Sequence, residues 1–281
     1  MSKVAIVTDS TAYLPPDVIQ RYGIQTVPLQ VIWDEEVLRD GIDIQPQDFY
    51  KRLATSASMP TTSQVTVADY GRVFRQLYAQ GADILVITIS NEMSGTLASA
   101  TQAKAELPEA HIELVDSLST TMHLGLIVLA AARAAEQGAD LAACKAAAEQ
   151  ARQQSGVVFA VDTLEFLHRG GRIGGARRFL GTVLNIKPIL TVTDGKVDAL
   201  EQARTRRKSL VRLLEIIAER TDGKANLRLG VSHANAEAEA QVLLAQAQQQ
   251  LKPVEAFLVE LSPVIGTHVG PGTISLAYHY E

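Results

Sequence analysis

The sequence predicts an α/β protein of two domains. An N-terminal parallel α/β sandwich spans 1–155, and a C-terminal α/β domain with a mixed sheet spans 156–281. Three observations predict this. The chain opens strand–helix–strand, the order that builds a parallel sheet. Asp83–Ile89 is apolar almost throughout, as in a strand covered on both faces. After Ser155-Gly156 strands dominate, and Asp194-Gly195 between two of them is a hairpin signal that brings antiparallel pairing into the second sheet.

The elements follow in order. Val4–Val7 is a β-rich run that ends in the polar Thr8-Asp9-Ser10-Thr11. Pro15-Pro16-Asp17 starts a helix, since proline is tolerated in a first turn, and Gly23 ends it. Thr26–Trp33 reads as a second strand. Gly41–Ile44 is loop or edge strand, and Pro46–Leu53 is a short helix. Thr55–Gln64 is a polar linker. Thr66–Asp69 resembles a capping box for a helix to Gln80, stopped by Gly81. Helices Leu97–Leu107, Thr120–Gln137 and Leu141–Gln154 surround a strand at His111–Val115. Beyond the boundary the strands are Val157–Val161, Lys187–Val192, Lys196–Ala203, Leu227–Ser232, Val254–Glu260 and Thr273–Tyr278. Helices Arg207–Arg220 and Glu237–Leu251 interleave with them.

Composition narrows the function. The chain has 281 residues, 47% of them hydrophobic, enough for a sizeable core. Lys+Arg of 26 against Asp+Glu of 31 leaves 26 − 31 = −5, a poor balance for a general nucleic-acid binder. The one cysteine, Cys144, sits in an Ala-rich helical run and reads as a small core residue; it excludes an internal disulfide and any cysteine-based zinc cluster. Lys3 leads straight into the first strand, with no secretory leader visible. The longest apolar run, Leu124–Ala132, is too short for a membrane span. The expectation is a cytoplasmic protein without a stable membrane anchor.

Three hydroxyl-rich segments and one glycine–arginine stretch can carry chemistry. Thr61-Thr62-Ser63 lies in the polar linker. Ser94-Gly95-Thr96 lies between a buried strand and a helix N-terminus, where ligands of open α/β sheets bind and where backbone N–H groups are free. Ser94 or Thr96 either caps that helix or helps to hold an anion. Gly266–Gly272 reads as a glycine-rich loop presenting His268. Arg169–Arg177 contains four glycines and three arginines. It is either a sharp connector with solvated arginines or a cradle for an anion.

Other motifs are missing or weak. There is no phosphate-binding P-loop, and Gly170–Gly175 does not fit the dinucleotide fingerprint. The six histidines show no metal-ligand spacing. Gly230-Val231-Ser232-His233-Ala234 lacks the last glycine of a hydrolase elbow. Asp9 and Asp116 both end strands and either pair for acid–base work or accept backbone N–H bonds in their turns. Arg204, Arg206, Arg207 and Lys208 enter a helix as a basic cluster, either a solvated face or a docking surface. Hydroxyls, glycines, arginines and one histidine suit holding an anion better than breaking a bond.

Six segments together resemble the DegV family of bacterial fatty-acid-binding proteins. They are Val7-Thr8-Asp9-Ser10-Thr11, Pro60-Thr61-Thr62-Ser63-Gln64, Ser94-Gly95-Thr96, Val115-Asp116-Ser117, Leu167–Ile173 and His268-Val269-Gly270-Pro271-Gly272, in the family's order and across nearly the whole chain. Gln64 is followed by Val65 where the family often has proline, and Val269 and Pro271 vary within the last motif. The resemblance implies a two-domain lipid-binding protein without catalytic residues, cofactor or metal of its own. It implies a long-chain fatty acid as ligand, with the carboxylate at Thr62, Ser94 and His268 and with Arg172 in a family motif; the expected site between the domains adds Ser63 and the Gly95 N–H, with Arg172 behind them. Some members are the binding subunit of a fatty acid kinase and present the carboxylate to a separate ATP-using subunit; Arg204, Arg206 and Lys208 would then be candidates for docking. Two alternatives stay open: a serine esterase built on Ser232 and His233, and a regulatory module whose lipid is structural.

Overall fold

The computed structural model describes residues 3–181 and 186–281; Met1, Ser2 and residues 182–185 lie outside. Among the described residues, three sheets organise the chain. The first is parallel, in the order β2-β1-β6-β7, and consists of β1 (Val4–Asp9), β2 (Gln25–Val27), β6 (Asp83–Thr88) and β7 (Ile112–Asp116). Its connections run through α1 (Pro16–Tyr22), α3 (Val67–Ala79) and α4 (Thr96–Ala105). Residues 84–87 of β6 are fully buried, as the continuous apolar run predicts.

Thr26–Trp33 is not one strand. Pro28 has no N–H to give a ladder, and the chain leaves the parallel sheet there. It re-enters β structure as β3 (Gln30–Trp33), which pairs antiparallel with β4 (Glu36–Arg39) and β5 (Thr61–Ser63) in a separate three-stranded sheet. The polar linker therefore contains a strand, and Thr62 is held opposite Val31 by backbone pairing. Asp34 turns the β3–β4 hairpin with φ at 56°. Gly41–Ile44 is a loop apart from one bridge between Asp40 and Ile44. The helix α2 (Pro46–Thr55) lies between these strands in sequence.

The remaining strands form a mixed six-stranded sheet, β10-β9-β8-β13-β11-β12. They are β8 (Ser155–Ala160), β9 (Lys187–Thr193), β10 (Lys196–Ala203), β11 (Arg228–His233), β12 (Glu255–Glu260) and β13 (Ile274–His279). Asp194 and Gly195, both at positive φ, make the β9–β10 hairpin turn. Only β11 and β12 pair in parallel. Helices α8 (Arg206–Thr221) and α9 (Glu237–Leu251) cover one face, burying Leu213, Ile217, Leu243 and Ala247 against Leu229, Val231 and Leu276.

The other face meets α5 (Thr121–Glu136), which also packs on the parallel sheet. Two glycines allow this. A Cβ at Gly125 would lie 2.4 Å from the Ala12 carbonyl oxygen, and one at Gly230 of β11 would lie 2.6 Å from the Met122 Cβ. Such distances exclude any side chain on either side of the helix. Cys144, on α6 (Leu141–Gln153), is fully buried.

Two segments read as loops are helical. His268 lies in the last turn of α10 (Pro263–Val269), and the glycine–arginine stretch holds α7 (Glu165–Arg169) and a short 3-10 turn, Gly174–Phe179. Gly266 looks like a turn signal, but its purpose is packing: a Cβ there would fall 2.7 Å from the Tyr50 hydroxyl of α2.

Candidate functional site

Four segments bring the site together. β5 supplies Thr62 and Ser63. The loop between β6 and α4 supplies Ser94 and Gly95. α10 supplies His268, and the turn after α7 supplies Arg172. All six residues line one cavity, which with its mouth encloses about 880 Å³ not filled by atoms. Most of the remaining lining is apolar, with Ile89, Val157, Phe159, Val192, Val264 and Ile265 among the lining residues. Ile89 comes from the parallel sheet's end, Val157 and Phe159 from β8, and Val264 and Ile265 from α10, so the cavity lies where the two large sheets and α10 meet.

The cap is closely built. Thr62 Oγ1 and His268 Nε2 share a hydrogen bond of 2.8 Å across 206 residues of sequence. Ser94 Oγ and Thr96 Oγ1 are 2.9 Å apart, and the Thr96 N–H donates weakly to Ser94 Oγ at 3.4 Å. Ser94 therefore partly caps α4 and also faces the cavity. Gly95 precedes α4, whose first N–H groups point out of the helix. A Cβ on Gly95 would meet the Gln64 side chain at 3.1 Å, so its glycine keeps the β5 strand and the α4 terminus in contact.

Arg172 ties the loops around the cap. Its Nε donates to the Met93 carbonyl at 3.1 Å and its Nη1 to the Gly170 carbonyl at 2.8 Å. Burial, with the Arg172 charge adding, lowers the His268 pKa from 6.5 to about 4. The ring is neutral at pH 7, with Nδ1 buried and without a partner among the described residues. Gly170 makes room for it, since a Cβ there would lie 2.3 Å from Nδ1.

The other candidates fall outside this cavity. Ser232 and His233 are consecutive on β11, so their side chains leave opposite faces of the sheet. His233 Nδ1 instead accepts the Ala236 N–H at 3.4 Å, and the esterase pairing has no geometric basis. Asp9 accepts N–H bonds from Thr11 and Ile89, the structural alternative, and Asp116 accepts from Leu118. Arg206 is half-buried, bonded to Glu239 through Nε and Nη2 at 3.1 and 3.0 Å. Arg204, Arg207 and Lys208 are exposed on the α8 end of the second sheet. Sequence reasoning missed the lining, because isolated valines and isoleucines in buried strands read only as core.

A largely apolar cavity lined also by hydroxyls, a helix N-terminus and a neutral histidine suits a small molecule with a polar head and an apolar body. The chain belongs to the DegV family, whose model, described as "Uncharacterised protein, DegV family", matches residues 3–281. It is similar to the fatty-acid-binding DegV family protein of Thermus thermophilus, with 36% identity, coverage of 99% of this chain and 100% of that one, and a TM-score of 0.92. DegV of Bacillus subtilis, described as a fatty acid binding protein, shares 30% identity, with both chains covered in full and a TM-score of 0.91. A stearic-acid-binding protein of Eubacterium ventriosum shares 27% identity over 100% of this chain and 98% of its own, again with a TM-score of 0.91. The two-domain α/β architecture is thus that of the family. Among the described residues no helix is long and apolar enough to cross a membrane.

Proposed function

We propose that the chain binds one long-chain fatty acid, with its carboxylate at Thr62, Ser63, Ser94, Gly95 and His268 and its acyl chain in the apolar cavity. The observation that carries this is convergence: residues singled out on four separate segments line one cavity whose remaining walls are mostly apolar. The family relatives described as fatty-acid-binding support the same reading. Energetically the tail dominates. Roughly a dozen methylenes at about 0.8 kcal/mol each supply on the order of 10 kcal/mol before ordering losses. The head sets register, because an unpaired carboxylate there costs several kcal/mol. Hydroxyl and N–H donors replace its water, and Arg172 adds positive charge behind them.

Thr62→Ala and Ser94→Ala test the assignment. Each is expected to weaken stearate binding about tenfold or more while leaving the fold intact, since each removes a bond to a charged group. Calorimetry is the measurement of choice, because Trp33 is fully buried and does not line the cavity. Wild-type affinity in both variants overturns the head-group assignment. Native mass spectrometry of protein purified from cells, showing a bound mass in the C16–C18 fatty acid range, tests the ligand class independently.

The finer reading is that the protein hands its carboxylate to a separate ATP-using kinase subunit that makes acyl phosphate. The exposed Arg204, Arg207 and Lys208 support a cationic docking face, whereas Arg206 is already bonded to Glu239. Charge reversal at the three exposed residues is expected to lower acyl phosphate formation when this protein is limiting; an unchanged rate removes the docking assignment.

A further inference from the structure

The wall of the cavity is not uniformly apolar. Besides the cap residues, Thr120 and Ser275 line it together with Val157, Phe159 and Val192. Thr120 comes from the helix side, immediately before α5, and Ser275 from the sheet side, on β13; α5 packs directly on β13 and β8. Both hydroxyl oxygens are buried, and neither has a hydrogen-bond partner among the described residues.

Each is unusual for its position. Thr120 is the N-cap residue of α5, where a threonine ordinarily accepts a backbone N–H, yet its side chain makes no such bond. The following Thr121 holds φ at 58°, a region that β-branched residues rarely occupy. Ser275 pairs in register with Phe159 on one side and Ser232 on the other, and the Ser232 oxygen is likewise buried and unpartnered. A hydroxyl buried without a partner is disfavoured, and valine or alanine would occupy either lining position without that cost. The methylenes of a saturated chain lying against these oxygens would neither donate nor accept.

Resting on the fatty-acid reading above, we propose that the cavity is built for an acyl chain carrying a hydroxyl group part-way along its length. That hydroxyl donates to one of Thr120 Oγ1 and Ser275 Oγ and accepts from the other, completing both. The ligand class is a hydroxylated long-chain fatty acid, held by its carboxylate at Thr62, Ser94 and His268 and by its chain hydroxyl deeper in the bore.

Competition binding of stearate against a set of hydroxystearates differing in hydroxyl position tests this on the intact protein. One isomer is expected to displace stearate with affinity on the order of tenfold tighter, the effect of one or two added hydrogen bonds. In Thr120→Val and Ser275→Ala that preference falls severalfold, while stearate affinity stays close to that of the wild type. Thr120→Val keeps the side-chain shape and removes no helix-capping bond. Equal binding of stearate and every isomer by the wild type, or a preference that survives in both variants, overturns the proposal. If neither stearate nor any isomer binds, the fatty-acid reading itself falls.

Discussion

The hydrogen bond between Thr62 and His268 can run in two directions, and a bound carboxylate chooses between them. If Thr62 donates to the ring, it has no proton left for a ligand. If His268 Nε2–H donates to Thr62 Oγ1, the threonine O–H is free to donate to a carboxylate oxygen. The second arrangement needs a neutral ring with Nδ1 unprotonated, which fits the burial of that atom and a pKa of about 4. The sign follows from the lowered value: the ring's contribution to stability is present above pH 6.5 and is lost as pH falls through about 4. Thr62 and His268 should therefore act as a unit. In a double-mutant cycle with Thr62→Val and His268→Ala, the combined loss of stearate affinity is expected to fall short of the sum by about 0.5–3 kcal/mol. Strict additivity in calorimetry would mean that the two residues touch the ligand independently. Both residues were legible in the sequence as members of hydroxyl- and glycine-rich motifs. Their bond was not, because it joins positions 206 residues apart.

The element that brings His268 to the cavity is α10, and α10 is tied down by a carboxylate that no local pattern reveals. Asp40 is buried, and its Oδ2 accepts from Ser10 Oγ and Ser262 Oγ, each at 2.7 Å, while its Oδ1 accepts the Val264 N–H at 3.2 Å. Ser262 in turn bonds to the Tyr13 hydroxyl at 2.6 Å. Burial pushes the Asp40 pKa up to about 6, against hydrogen bonds from Ser262, Ser10 and Val264, with Asp9 adding repulsion. For a raised carboxyl the contribution to stability is full below 3.8 and is lost as pH rises through about 6. Asp40→Asn keeps an oxygen for the Val264 N–H and offers an amide to the two serines. It is expected to keep stearate affinity and to be more stable than wild type at pH 8, by up to about 3 kcal/mol for a shift of some two units. The gap should close by pH 4 in parallel thermal melts; a variant less stable at every pH would show that the charged form is the one α10 needs. The same element explains why sequence reading took Gly266–Gly272 for a loop. Pro263 and Gly266 look like turn signals, but proline starts the helix and Gly266 clears Tyr50. The β5 strand was missed for a related reason. Thr61-Thr62-Ser63 has no apolar alternation, and it is β structure because β3 offers it an edge.

Across the whole molecule, sheets and core divide the chain differently. The six-stranded sheet begins at Ser155, where the change in composition predicts a boundary, and we propose 155/156 as the domain boundary on that ground. Apolar runs and the Asp194-Gly195 turn made the strands readable, since burial on both faces and a two-residue hairpin are local properties. The core is not local. The cluster that fills the first domain includes Ala234, Leu261, Val264 and Ile265 from beyond the boundary, and Met122 and Leu126 of α5 pack with Val157 and Ala277 of the second sheet. Removing residues 156–281 would uncover these faces together. At about 1.5–3 kcal/mol for each large side chain, exposing Met122, Leu126 and the pockets of Leu261, Val264 and Ile265 costs on the order of 10 kcal/mol, comparable to the net stability of a typical domain. A fragment of residues 1–155 is therefore expected to retain helical far-UV dichroism, lose near-UV signal and bind a hydrophobic dye, while the intact chain unfolds in one transition. A fragment that melts cooperatively with native-like near-UV signal would make the boundary one between independent domains. The ligand would then bridge two bodies, whereas a shared core makes the cavity a seam within one cooperative unit.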